Sequence, residues 1–228
     1  MNILKLLNMI NFAPVVIAPI FFILLLAYLK FKYPKGDFSL FYLSFFVGVL
    51  AIGFIILTDW IIRLTGLGQL HNLRRSVFFT FVMVGGAAEL AKFLVVMIID
   101  VADKRFRTVS DGIVYCLATG LGFTSAFIIY SFYLHPMSRD LELYMLTLTP
   151  MAMALAIIMG FFLGMGKVRS NLFIDSMTGL LAAAFFHGLY RFCILTQDNR
   201  LLAITITGTV IISLILLVKA IQTRPESQ

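Results

Sequence analysis

Charge is scarce in this sequence. Only 13% of its 228 residues are Asp, Glu, Lys or Arg, against 61% hydrophobic, and the mean hydropathy lies far above that of a water-soluble domain. This excludes a soluble globular protein. It also leaves no room for a separate soluble domain, because the connections between apolar runs are short and only QTRPESQ follows Ile221. Cysteine is nearly absent: Cys116 and Cys193 fall inside apolar runs without motif spacing, so they read as small packing residues and not as a disulfide or ligand pair. No His/Cys/Asp/Glu cluster has zincin or zinc-finger spacing. The GLG at 120–122 is too short and too deep in an apolar run to cradle a phosphate. From the residues alone, neither a metal nor a cofactor is expected. No repeat or low-complexity segment appears.

What the chain does have is length of apolar run. A bilayer core about 30 Å thick needs about 20 apolar residues per helix. Seven runs qualify, at about 11–31, 39–62, 76–99, 112–134, 143–166, 172–196 and 201–221. The chain therefore reads as an all-α polytopic transmembrane bundle forming one domain over 1–228. The first run is long, carries only Lys5 before it and lacks a small-residue cleavage site after it, so it is expected to be a retained helix and not a signal peptide.

The net charge of +7 is spread over several loops, which points to membrane topology and not to nucleic acid. Lys30, Lys32, Lys35, Lys104, Arg105, Arg107, Lys167, Arg169, Lys219 and Arg224 share one side of a seven-span chain. Lys5, Arg63, Arg74, Arg75, Arg139 and Arg200 share the other. The richer side is expected in the cytoplasm, with the N-terminus outside and the C-terminus inside, in a bacterial cytoplasmic membrane. Membrane lipids are the first expected partner.

Polar residues inside the runs are few enough to take singly. In GGAAELAKFLV, residues 85–95, Glu89 and Lys92 are three apart and therefore neighbours on one helix face. A charge at mid-bilayer costs about 2.5–3.5 kcal/mol on insertion scales, so each is expected to face the interior with a partner. An intrahelical pair is one reading, and a functional site is the other. Gly85 and Gly86 remove bulk just before the glutamate and invite a neighbouring backbone. In AFFHGLYRF, residues 184–192, His187, Tyr190 and Arg191 fall at helical spacing, and His187 lies at a depth similar to that of Glu89. Arg191 either snorkels to the interface or pairs inward with Glu89. Asp111 is placed as a helix N-cap. Gly120 and Gly122, and Gly160 with Gly164, are candidate helix-packing positions, as are Gly179 and the alanines at 182–184.

Three segments in order, AELAK, DGIVYCLATGLGF and HGLYRF, resemble the PrsW family of glutamate-dependent intramembrane proteases, relatives of the CAAX-processing group. That family reads EExxK, DGxxYGxxxGxGFxxxEN and HGxxD, with a further histidine eight residues before a Gly-aromatic-x-Leu-Gly turn. The resemblance covers about 85–192, and 111–123 is its most specific part. It implies peptide hydrolysis within the membrane, a glutamate acting as general base on water while polar groups, with or without a metal, hold the oxyanion.

The carry-over to this chain is incomplete. Glu89, Lys92 and His187 match, and Glu89 and His187 are the candidate catalytic pair. Ala88 stands at the first glutamate, Phe127 and Ile128 at the Glu-Asn, Ala152 at the first histidine, and Arg191 at the final aspartate. Two ligands are fewer than the three or four that zinc takes. The resemblance therefore implies a non-catalytic membrane binding or scaffold subunit for a transmembrane protein partner, with oligomerisation open. The alternative is an active peptidase with a reduced Glu/His site acting on membrane-anchored substrates. A small transporter or channel subunit is the third reading, though no inverted repeat supports it.

Overall fold

The computed structural model describes the backbone of residues 3–70, 72–134 and 139–223, and side chains from residue 13 on except those of 139–143. Lys5, Arg139 and Arg224, which enter the topology expectation, lie outside the described side chains. Among the described residues every regular element is helical, and seven helices are long and apolar enough to cross a membrane.

Their order is α1 (Ile3–Lys32), then a second span in two pieces, α2 (Ser39–Leu50) and α3 (Ile52–Thr65), joined at Ala51. The third span, Leu73–Asp100, comprises α4 (Leu73–Phe78), a π-helical stretch (Phe79–Gly86), α5 (Ala87–Val95) and a second π-helical turn (Val96–Asp100). Four single helices complete the bundle: α6 (Val109–Leu134), α7 (Arg139–Val168), α8 (Leu172–Leu195) and α9 (Asn199–Gln222).

Helix α6 is the axis of the bundle. Its start is a capping box: the Asp111 N–H donates to Thr108 Oγ1 at 3.1 Å, and Asp111 Oδ2 accepts from the Thr108 N–H at 2.8 Å and the Arg107 N–H at 3.0 Å. This corrects the expectation for Asp111. Thr108 stands at the cap, and Asp111 sits in the first turn, where it satisfies free backbone donors. It does not line the cavity described below.

From that cap inward, α6 is buried along most of its length because small residues let its neighbours close on it. Gly112 faces Gly160 and Gly164 of α7 so closely that a Cβ on any of the three would overlap backbone. Gly122 and Gly48 do the same between α6 and α2. Two of the expected packing glycines behave differently. A Cβ on Gly120 would meet the Ala156 methyl at 3.4 Å and the Ala152 carbonyl at 4.0 Å, both ordinary contacts, and one on Gly86 only the Phe81 carbonyl of its own span, at 3.1 Å.

α6 and α7 form the buried core, while α1 and α9 lie outside it with large apolar side chains such as Leu24, Phe31, Ile204 and Ile215 exposed. In a membrane-spanning bundle those faces contact lipid.

At the end of the bundle that holds the 33–38 and 101–108 loops, Arg105 ties the two together. Its guanidinium donates to Asp37, Asp103 and Ser39 at 2.6–2.8 Å. The hydrogen bonds from the Arg105 side chain hold the Asp103 carboxyl down at about 2, with its charge adding to them. Asp37 is lowered as well, chiefly by the Ser39 N–H, with Arg105 contributing. Lys167 Nζ donates to the Val101 carbonyl at 2.8 Å, where it can meet a helix-end acceptor of the third span.

Candidate functional site

The site is built where the third span crosses α8. In the π-helical stretch Phe79–Gly86 each turn is widened, and Gly85 comes against α8 near its end. A Cβ there would fall 2.6 Å from the Gly188 nitrogen, and one on Gly188 would meet Phe81 at 2.7 Å. π-helical segments of this kind recur at functional sites. Two bare glycines bring the backbones together, and the next residues on each side are Glu89, one turn beyond Gly85, and His187, directly before Gly188.

Glu89 is fully buried, and Lys92 and His187 are each 4% exposed. Glu89 Oε1 accepts from Lys92 Nζ at 2.5 Å and from the His187 Nδ1–H at 2.6 Å. Since a carboxylate only accepts, this contact assigns the proton to Nδ1. Lys92 Nζ also lies 5.4 Å from the centroid of the Phe123 ring. Two buried atoms of this cluster have no partner among the described residues: Glu89 Oε2 and His187 Nε2. His187 lines a cavity of about 140 Å³, whereas Glu89 stands behind its wall. The group this arrangement offers to the cavity is the imidazole Nε2, held in place by Glu89.

Arg191 does not pair with Glu89. It lies one helical turn nearer the end of α8 than His187, about 5.4 Å along the axis, and Glu89 already has two donors. Its guanidinium stacks on the Tyr144 ring of α7, 4.5 Å from the centroid, a contact worth about 0.5–2 kcal/mol. Tyr190 leaves the site altogether. At 100° per residue it points well away from Arg191, and its hydroxyl lies 2.5 Å from Thr147 Oγ1 and donates to the Tyr144 carbonyl at 3.1 Å. It is a buried link between α8 and α7.

The cavity wall contains Ala88, Phe127, Ala152 and Arg191 together with Lys92 and His187. These are positions on four different helices that the motif comparison marks, four substituted and two retained. Ile128 is buried elsewhere.

Sequence reading passed over Asp59. It is the only acid in the second span, and in the structure it lines the same cavity and accepts from the Tyr130 hydroxyl at 3.0 Å. A lone carboxylate in ILTDW was the available signal. Asp100 was also missed: at the C-terminal end of the third span its Oδ1 accepts from the Ser44 hydroxyl at 2.6 Å, linking that span to α2 outside the cavity.

Seven membrane-length helices with a buried Glu–His contact beside a cavity define a polytopic membrane protein with a polar cluster inside its bundle. More particularly, the model of the PrsW family of intramembrane metalloproteases matches residues 37–220, so the chain belongs to that family. The match begins after α1. No curated protein and no solved structure matches.

The family description implies a metal, and the residues here do not fit one. Among the described residues no three His, Cys, Asp or Glu side chains come together. Among the described residues the candidate ligands where the third span crosses α8 are Glu89 and His187, and the Lys92 ammonium is bonded to the same carboxylate. A dication on that carboxylate would face a like charge.

Proposed function

We propose that this protein is a non-hydrolytic member of its family, acting as a membrane binding or scaffold subunit for a transmembrane partner. One observation carries the reading: four of the positions where the motif carries polar groups line one cavity, and here they are Ala88, Phe127, Ala152 and Arg191. A general base needs a lone pair directed at water. Glu89 Oε1 is engaged by two donors, and Oε2, without a protein partner, is buried on a side chain that does not line the cavity. Oxyanion stabilisation needs donors converging on one point, and the side chains of Ala88, Phe127 and Ala152 supply none.

The second reading, a peptidase with a reduced site, is favoured by the free Nε2 of His187, which is oriented by Glu89 as a histidine base is oriented by a carboxylate. The charge asymmetry of the loops supports an external N-terminus and a cytoplasmic C-terminus in a bacterial cytoplasmic membrane.

The scaffold reading is tested by purifying the full chain from its native membrane in mild detergent, with E89Q and H187A in parallel. The same transmembrane protein is expected with all three at constant ratio. A monodisperse chain carrying no partner from native membrane overturns the scaffold role.

A further inference from the structure

His187 and Arg191, four residues apart on α8, stack on one face with Cβ atoms about 5–6 Å apart. Both line the cavity, and each brings hydrogen-bonding capacity that the described protein does not use. His187 is 4% exposed with Nδ1 held by Glu89 and Nε2 without a partner. The Arg191 guanidinium rests on the Tyr144 ring, and among the described residues no carboxylate pairs with it. Buried polar groups and cations within a span are costly unless something meets them. The planar fork of an arginine matches a carboxylate.

The rest of the cavity indicates what such a carboxylate is attached to. Most of the remaining wall is apolar, including Met83, Phe123, Phe127 and Leu148. The acid of the wall, Asp59, is on α3 and bonded to Tyr130, so an anion is directed to the α8 side. The volume of about 140 Å³ is close to the roughly 150 Å³ that accommodates benzene in an engineered cavity. It admits a carboxyl group and the first few methylenes of one chain.

We propose that the cavity binds a fatty acid, its carboxyl group bridging His187 Nε2 and Arg191 and its chain running along the apolar wall toward the bilayer. The acid proton lies between one carboxyl oxygen and Nε2, and the other oxygen accepts from Arg191. The proposal rests on the non-hydrolytic reading of the cavity, since a hydrolytic site would need Nε2 for its reaction.

The test is equilibrium binding of tetradecanoic acid to the purified full chain in lipid nanodiscs, beside tetradecanol and dodecyl phosphate. The acid is expected to bind at least about tenfold more tightly than the alcohol, with that preference lost in R191M and reduced in H187F. Equal affinity for acid and alcohol in the wild-type protein overturns the proposal, whether or not the variants fold, as does an undiminished preference in R191M. Tighter binding of dodecyl phosphate than of the acid overturns the carboxylate assignment. Because only purified protein is used, failure here leaves the non-hydrolytic reading standing. That reading is judged separately, on peptide-bond cleavage in cells.

Discussion

His187 Nδ1 lies 2.6 Å from Glu89 Oε1, a contact between residues 98 apart in sequence that joins the third span to the sixth. It gives the glutamate a second donor besides Lys92 and so converts an isolated charge in the membrane into a three-membered polar cluster. Removing one member of a buried pair leaves the other uncompensated, at a cost of about 3–5 kcal/mol.

Lys92→Met is therefore expected to destabilise the protein by about 3–5 kcal/mol, and Glu89→Gln with Lys92→Met together by less than the sum of the single changes. Reversible unfolding in mixed micelles measures the cycle. Strict additivity would show that the cluster is not coupled.

The crossing beneath the cluster depends on a bare backbone. Gly85→Leu puts side-chain atoms where the Gly188 nitrogen already lies 2.6 Å from a Cβ position, so the expected cost is at the upper end of the about 1–3 kcal/mol typical of overpacking. A spin-label pair on the outer faces of the third span and α8 should report a wider separation. Gly53→Leu, at a position where a Cβ meets nothing within 4 Å, is expected to leave stability nearly unchanged.

The loop cluster around Arg105 carries the pH dependence that can be assigned. Asp103 is held at about 2, first by the hydrogen bonds from the Arg105 side chain, against an ordinary value of about 3.9. A carboxyl group depressed in the folded state stabilises it above its unfolded value, and that contribution is lost as pH falls from about 4 through about 2. Carbon NMR titration of Asp103 should give a midpoint near 2 that rises toward the ordinary value in Arg105→Met. An unshifted midpoint in the wild-type protein contradicts the tie.

The spans were legible because each carries about 20 apolar residues in a row, and the helices exceed the apolar runs only at their ends. α6 starts at Val109, three residues before the run at 112, because the Thr108–Asp111 capping box lies outside the apolar stretch. Depth along two helices was enough to allow Glu89 and His187 to meet. It did not show that Lys92 shares the same oxygen, nor that the third span is π-helical through Phe79–Gly86, since no residue pattern marks a turn widened by packing.

Arg191 and Tyr190 were illegible for a different reason. Their spacing from His187 fixes only an angle on α8, and their partners, Tyr144 and Thr147, belong to α7. The link between Asp59 and Tyr130 spans 71 residues and left no local trace beyond one acid in an apolar run.

The claim that this cavity has lost hydrolysis is tested most directly by mass-spectrometric quantification of membrane-protein fragments. Native cells would carry the wild-type chain, E89Q or H187A at matched levels. The fragment patterns are expected to be the same in all three. A membrane-anchored protein cut in wild-type cells and left whole in both variants would contradict the account and establish Glu89 and His187 as a working pair.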